Sequence, residues 1–287
     1  MVTAPRASDV DPAEVATPQP AFDVADTQAL VVSNTAVNDD YVHIVLDAAG
    51  LAANAKAGQF FNIACPATVR DMAYLRRPMG VYRVAPASGQ VEFLYKVTGA
   101  GTRGLATLRT GDSVAILGPL GNGFTLNARW KNIVVVGRGV GLATLAPLAE
   151  MAAERGIEIT AILSARSRAV VMSVDRFVKA GASVDVVTDE DGSSDPDNVE
   201  RLLLHLIEDG KADAFFTCGS NRLMLLMKRL ASVFHIPGQV AMEQQMACGL
   251  GMCFCCVRSF VSAGGIEEQR RVCLEGPVFE LAEALSW

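Results

Sequence analysis

The sequence predicts three units in series: an antiparallel β domain of the barrel or sandwich kind, an α/β domain built on a parallel sheet, and a small cysteine-bearing module at the C-terminus. Three observations predict it. Up to residue 126, short runs rich in Val, Ile, Phe and Tyr recur between turn residues, the pattern of a closed or sandwiched β domain. From 132 to 241 the period changes, and apolar strands alternate with helical stretches, as βαβ units require. Finally, four of the seven cysteines fall between 248 and 256. A chain of 287 residues suffices for such a plan, at about 150 residues per domain.

Residues 1–27 carry five acidic residues and four prolines with neither helical nor strand period, and are expected to form a disordered tail. Strands are expected at 29–37, 41–46, 59–64, 80–84, 91–97 and 113–117. The turns between them include Asn38-Asp39-Asp40, Ala87-Ser88-Gly89 and Arg109-Thr110-Gly111-Asp112. A short helix fits 104–108. The second unit starts with the apolar strand 133–136 and a helix running to 155. Strands at 158–163, 183–187, 214–217 and 239–242 then alternate with helices at 173–180, 196–207 and 222–234. Asp195 before Pro196 suits an N-cap followed by a first helical position. The units are placed at 28–128, 129–241 and 242–287.

Composition narrows the function. The chain is 51% hydrophobic and 20% charged, which excludes wholesale disorder. A net charge of -6 argues against nucleic-acid and anionic-membrane partners. The N-terminus has no basic segment leading into an apolar one, and the long apolar stretch 133–153 is broken by Arg138, Pro147, Glu150 and three glycines. A cytoplasmic protein is expected. An odd number of cysteines crowded into one segment reads as metal or redox chemistry rather than a disulfide framework.

The strongest motif is Cys248-Gly-Leu-Gly-Met-Cys253-Phe-Cys255-Cys256 with a distant Cys273. Without Cys255 the spacing is C-x4-C-x2-C followed by a remote fourth cysteine, that of a plant-type 2Fe-2S cluster. Each iron needs two thiolates, and Gly249 and Gly251 permit the positive φ and close approach of a wrapping loop. Structural zinc is the alternative, though zinc sites generally use paired C-x2-C knuckles. Cys255 is spare, and its side chain should point away from the cluster.

A second motif, Gly137-Arg138-Gly139-Val140-Gly141, lies between an apolar strand and a helix, where glycines let the backbone approach a pyrophosphate. A tight βα turn is the plainer reading. No acidic residue follows the next strand to hold a ribose hydroxyl; Ser164, Arg166 and Arg168 stand there instead. A third group comprises Arg76-Arg77-Pro78-Met79-Gly80, Leu94-Tyr95-Lys96 and Gly101-Thr102-Arg103-Gly104. An arginine fork with a glycine turn can grip dinucleotide phosphates, or can be ordinary charged surface. Fourth, Cys218-Gly219 ends a parallel strand, where open α/β sheets bind ligands; a buried structural cysteine is the alternative.

Together these residues resemble the electron-transfer subunit of the NAD-linked dihydroorotate dehydrogenases, within the ferredoxin–NADP reductase-like superfamily. Also carrying the resemblance are Gly118 to Phe124, Glu243 to Gly249, and Arg271-Val272-Cys273-Leu-Glu-Gly276-Pro277-Val278-Phe279. The resemblance implies an FAD-binding β-barrel, an NAD-binding α/β domain and a C-terminal 2Fe-2S module. It implies that Arg77, Pro78, Met79, Gly80, Leu94, Tyr95, Lys96, Gly101 and Thr102 line the FAD. It further implies that Gly137, Gly139, Gly141, Cys218 and Gly219 serve NAD(H), with NADP left open, and that Cys248, Cys253, Cys256 and Cys273 ligate the cluster. This sequence departs from the family at Gly80, usually Ser, at Arg138, usually Gly, and at Ser220, usually Pro.

The expected role is an electron-transfer oxidoreductase subunit. Electrons would pass between NAD(H), FAD and the cluster, to or from a catalytic flavoprotein dehydrogenase or reductase in a hetero-oligomer. Two rivals are a relay subunit that binds no pyridine nucleotide, because Arg138 alters the loop, and a freestanding ferredoxin reductase. His43, His205 and His235 are scattered and are expected to be packing or surface residues.

Overall fold

The computed structural model describes residues 24–262 and 264–286. The expected tail therefore lies outside the described residues up to 23, but its last residues do not fit the expectation. The first strand, β1 (Ala25–Ala36), already pairs Ala25, Asp26 and Thr27 with Gly118, Leu117 and Ile116. Arg76 holds the Asp26 carboxylate at 2.9 Å, which anchors that end.

The first sheet continues through β2 (Tyr41–Asp47), β3 (Phe60–Ile63), β4 (Arg77–Gly80), β5 (Arg83–Ala85) and β6 (Gln90–Lys96). A short helix α1 (Ala100–Leu105) precedes β7 (Ser113–Leu120). All pairings are antiparallel, in the order β4-β3-β7-β1-β2-β6-β5. Three strands separate β3 from β6, yet the rings of Phe61 and Phe93 meet edge-on at 5.6 Å. The sheet is thus curled about one apolar face, packed with Ile44, Leu46, Ile63, Phe93 and Ile116.

Two differences from the sequence reading stand out here. The run expected as one strand at 80–84 is broken, because Tyr82 leaves the sheet to pack against the second unit with the Arg176 guanidinium 4.2 Å from its ring. Helix α1 starts four residues earlier than expected because the Thr102 hydroxyl accepts from the Thr98 and Gly99 amides.

The second unit comprises β8 (Asn132–Arg138), α2 (Gly141–Glu154), β9 (Glu158–Ala165), α3 (Val174–Lys179), β10 (Ser183–Thr188), α4 (Pro196–Glu208), β11 (Ala214–Cys218), α5 (Asn221–Phe234) and β12 (Gly238–Ala241). Ile133, Val134, Val135 and Val136 of β8 are wholly buried, as expected for a central parallel strand covered on both faces. Helices α2 and α3 cover one face and α4 and α5 the other. At α4, Asp195 has the extended backbone of an N-cap but makes no side-chain capping bond, contrary to the sequence reading.

The C-terminal segment adds a hairpin, β13 (Val257–Val261) with β14 (Glu267–Arg271), the short helix α6 (Val272–Glu275) and β15 (Val278–Glu280). Strand β15 returns to the larger sheet and pairs antiparallel with β12, giving the order β10-β9-β8-β11-β12-β15. The cysteine segment is therefore tied at both ends to the edge of the α/β sheet. Among the described residues no helix is long and apolar enough to cross a membrane.

Candidate functional site

A cleft of about 810 Å³ opens between the curled sheet, the α/β sheet and the cysteine segment. Arg77, Pro78, Met79 and Gly80 of β4 form one wall, with Leu94, Tyr95 and Lys96 of β6 and Thr102 of α1 beside them. Arg77 is packed onto α1 so closely that a Cβ on Gly101 would stand 2.8 Å from its Nε. Gly101 itself does not line the cleft; its role here is to admit the guanidinium. Lys96 Nζ pairs with Asp40 at 3.2 Å. Tyr95 reaches the cleft, but its hydroxyl points into the curled sheet and donates to Asn34 Oδ1 at 3.1 Å, and burial pushes it up to about 12. Its ring lines the cleft while its phenol is held in the sheet.

The opposite wall contains residues the sequence reading missed. Val140, Ala143 and Thr144 of the β8–α2 region face the cleft, as do Gln244, Gln245 and Met246. Thr144 is the most informative. A Cβ on Gly80 would stand 2.9 Å from Thr144 Oγ1. The missing Cβ of Gly80 thus makes room for the Thr144 hydroxyl of α2 at the cleft wall. No single-sequence signal marks Thr144, since its role depends on two units packing together.

Cys218 ends β11 and is 3% exposed. Burial, reinforced by Glu243, raises its thiol well above the ordinary range, so it is a neutral thiol at physiological pH. Gly137, Gly139, Gly141 and Gly219 do not line the cleft. Gly141 and Gly219 let two turns at the C-terminal edge of the parallel sheet touch: a Cβ on Gly141 would lie 2.6 Å from the Cys218 carbonyl carbon, and one on Gly219 2.1 Å from the Arg138 carbonyl oxygen. These turns follow β8 and β11, neighbours in the sheet, and lie where the chain reverses its direction of winding.

Arg138 is turned away from that contact. Its Nη1 donates to Ser164 Oγ at 2.8 Å, and its guanidinium grips both oxygens of Asp189 at 3.1 and 2.5 Å. Arg222 adds a contact to Asp189 at 3.0 Å. Hydrogen bonds from Arg138, Ser194 and Arg222 hold the Asp189 carboxyl down to about 2.

The cysteine loop abuts the same cleft. Cys256 and Cys273 are 1% and 2% exposed, with their Sγ atoms 3.2 Å apart. Cys248 is hydrogen-bonded to the Cys253 thiol. Backbone amides converge on the sulfurs: Leu250 N–H donates to Cys248 at 3.3 Å, Gly251 to Cys273 at 3.2 Å, and Cys273 to Cys256 at 3.4 Å. Gly249 and Gly251 have φ of 71° and 76°. Burial raises the Cys248 thiol, but the amides of Leu250, Cys253 and Met252 outweigh it and bring it down to about 7. Cys273 is pushed up to about 12 by burial and by Cys256.

Among the described residues, no group of three or more His, Cys, Asp or Glu side chains is gathered as a single metal ion requires. The thiols instead form two pairs ringed by N–H donors, a donor set that fits a binuclear iron–sulfur cluster better than one tetrahedral ion. Cys255 joins neither pair; it lines the cleft, with Sγ directed to the Gln245 carbonyl.

Comparisons with known proteins agree with this geometry. A family model described as the iron-sulfur cluster binding domain of dihydroorotate dehydrogenase B matches residues 243–284. The dihydroorotate dehydrogenase B (NAD(+)) electron transfer subunit of Desulforamulus reducens is 31% identical over 256 residues, covering 89% of this chain and 96% of the relative. The chain belongs to the family of dihydroorotate dehydrogenase B electron transfer subunits. The member from Enterococcus faecalis is 32% identical over 235 residues, covering 80% of this chain and 87% of its own length.

Among solved structures, that of an NADH-dependent reduced ferredoxin-NADP oxidoreductase, described for flavin-based electron bifurcation, superposes with a TM-score of 0.74 at 27% identity. The match covers 89% of this chain and 88% of that one. The ferredoxin-NADP+ reductase of Plasmodium falciparum shares the fold, at 12% identity with a TM-score of 0.58, over 72% of this chain and 89% of its own. Membership of the electron transfer subunit family thus joins a reductase-type two-sheet fold to an iron–sulfur binding segment.

Proposed function

We infer that this chain passes electrons between a pyridine nucleotide, FAD in the cleft and a 2Fe-2S cluster, to or from a catalytic dehydrogenase subunit. One observation carries the inference: a single segment forms both the cleft wall and the cysteine loop. Residues 241–246 line the cleft, and Cys255, which also lines it, is directly bonded to Cys256 of the buried thiol pair. Flavin and cluster would be held by adjacent stretches of one backbone.

When bound, the flavin supplies the conversion of a two-electron donor into single-electron steps, and the cluster carries them one at a time. The chain's own residues place the groups. Arg77, seated on Gly101, offers a fixed positive charge for the dinucleotide phosphates, while Pro78, Met79, Leu94 and Thr102 shape the cleft around it. Cys248, Cys253, Cys256 and Cys273 are assigned as cluster ligands. The pyridine nucleotide would approach over Gly139–Gly141 and Cys218–Gly219, at the winding reversal of the parallel sheet. Arg138 leaves that edge accessible, because Asp189 and Ser164 draw its side chain aside.

Leu250, Met252, Phe254 and Leu274 are 43%, 77%, 62% and 38% exposed around the cysteine loop. Such an apolar rim on a charged chain suits a permanent partner, so the catalytic subunit is assigned to this side. A cytoplasmic location is assigned on the ground that iron–sulfur ligation needs cysteines kept reduced.

Stopped-flow mixing of the purified flavoprotein with NADH and with NADPH tests the reading. Rapid bleaching of the flavin by one of them is expected. Bleaching by neither would leave a relay subunit without pyridine-nucleotide chemistry.

A further inference from the structure

Asn62 lies on β3, with Pro78 of the cleft wall opposite it on one side and Leu117 of β7 on the other. Its neighbours Phe61 and Ile63 point into the apolar centre of the curled sheet, so the alternation of the strand sends Asn62 out on the opposite face. There it is completely buried, and neither Nδ2 nor Oδ1 has a hydrogen-bond partner. An unpartnered buried amide forfeits its hydration with nothing in return. Natural chains seldom keep one without a reason.

The direction of the amide supplies the reason. A Cβ on Gly249 would stand 2.3 Å from Asn62 Nδ2. Gly249 follows Cys248, and its φ of 71° belongs to the turn that carries the cysteine loop. The glycine thus opens a passage for the Asn62 amide toward the loop, and any side chain there would fill it. A cluster in the loop presents sulfur acceptors and no donors, which matches the N–H₂ end of the side chain.

We propose that Asn62, a residue of the barrel sheet, donates an N–H hydrogen bond to the sulfur of the bound cluster and raises its reduction potential. This rests on the cluster reading above. Reduction adds negative charge to the sulfurs, so a donor from a fixed, water-free site stabilises the reduced state more than the oxidised one. Asn62 is a positioning and tuning residue, not a catalytic one. Through it the barrel sheet sets how electrons divide between flavin and cluster.

The test is an anaerobic redox titration of the holoprotein, with the cluster followed by EPR and the flavin by absorbance. Asn62→Leu removes both donors while keeping an apolar side chain of similar size. The expected result is a cluster about tenfold harder to reduce at a given potential, which is about 59 mV for one electron, with the flavin potential unmoved. An unchanged cluster potential, or a shift in the flavin alone, overturns the proposal. If Asn62→Leu does not load cluster, the smaller Asn62→Ala decides, since it too removes the N–H donors and adds no charge: a lower cluster potential supports the proposal and an unchanged or higher one overturns it. A wild-type protein with no 2Fe-2S signal would instead remove the cluster reading, and this inference with it.

Discussion

Cys255 and Cys256 are consecutive in the chain and face different sites. Cys255 lines the cleft with Sγ toward the Gln245 carbonyl, whereas Cys256 is buried with Sγ 3.2 Å from Cys273. The first prediction follows from that divergence. Cys273→Ser should abolish or destabilise the cluster, while Cys255→Ser should leave it loaded. EPR of the dithionite-reduced proteins reads both, and an unchanged signal in Cys273→Ser would show that the ligand set is wrong.

Arg77 is the one arginine lining the cleft among the described residues. Arg77→Ala should weaken FAD binding by roughly 1.5–3 kcal/mol, the range for hydrogen bonds to a charged group. Gly101→Ala should do the same from a distance, because its Cβ would displace the guanidinium. Flavin content after gel filtration, from absorbance, is the measurement. Full occupancy in both variants would remove Arg77 from the site.

Gly219 has φ of 88°, and a Cβ there would lie 2.1 Å from a backbone oxygen that cannot swing aside. Gly219→Ala should therefore cost at least about 1–3 kcal/mol of stability from backbone strain, with the clash added. Urea unfolding monitored by circular dichroism checks it; a midpoint equal to wild type would mean that the two turns are not in contact.

Asp189 is held at about 2 chiefly by Arg138, below its ordinary 3.8. A carboxyl depressed in the folded state stabilises it in full above its unfolded pKa, and that contribution is lost as the pH falls from about 4 through about 2. Arg138→Ala should return the Asp189 carboxyl upward and so shrink this acid loss, its lower limit rising toward about 4. A carbon-detected NMR titration of the aspartate carboxyls would show it, and an Asp189 still titrating near 2 would contradict the pairing.

Much of this was legible in the sequence because it depends on local chemistry. The thiol spacing, the glycines of the cysteine loop, the wholly apolar β8 and the turn residues of the curled sheet all carry their meaning within a few positions. What was not legible depends on long-range packing. Tyr82 reads as part of a strand until it meets Arg176. Thr144 is an ordinary helix residue until it fills the place beside Gly80, and Gly137–Gly141 reads as a phosphate loop before Cys218 and Gly219 reveal a second reason for Gly141. Arg138 reads as an obstruction until Asp189, 51 residues on, draws it aside. The return of β15 to the edge of the parallel sheet carries no signal in its three residues.

The central claim is that flavin and cluster are wired together by the segment that forms both sites. Anaerobic titration of the holoprotein with NADH, watched by absorbance and by EPR of frozen samples, tests it most directly. The account predicts that flavin bleaching and the EPR signal of a reduced 2Fe-2S cluster rise together. A flavin that bleaches fully while the cluster stays oxidised would contradict it.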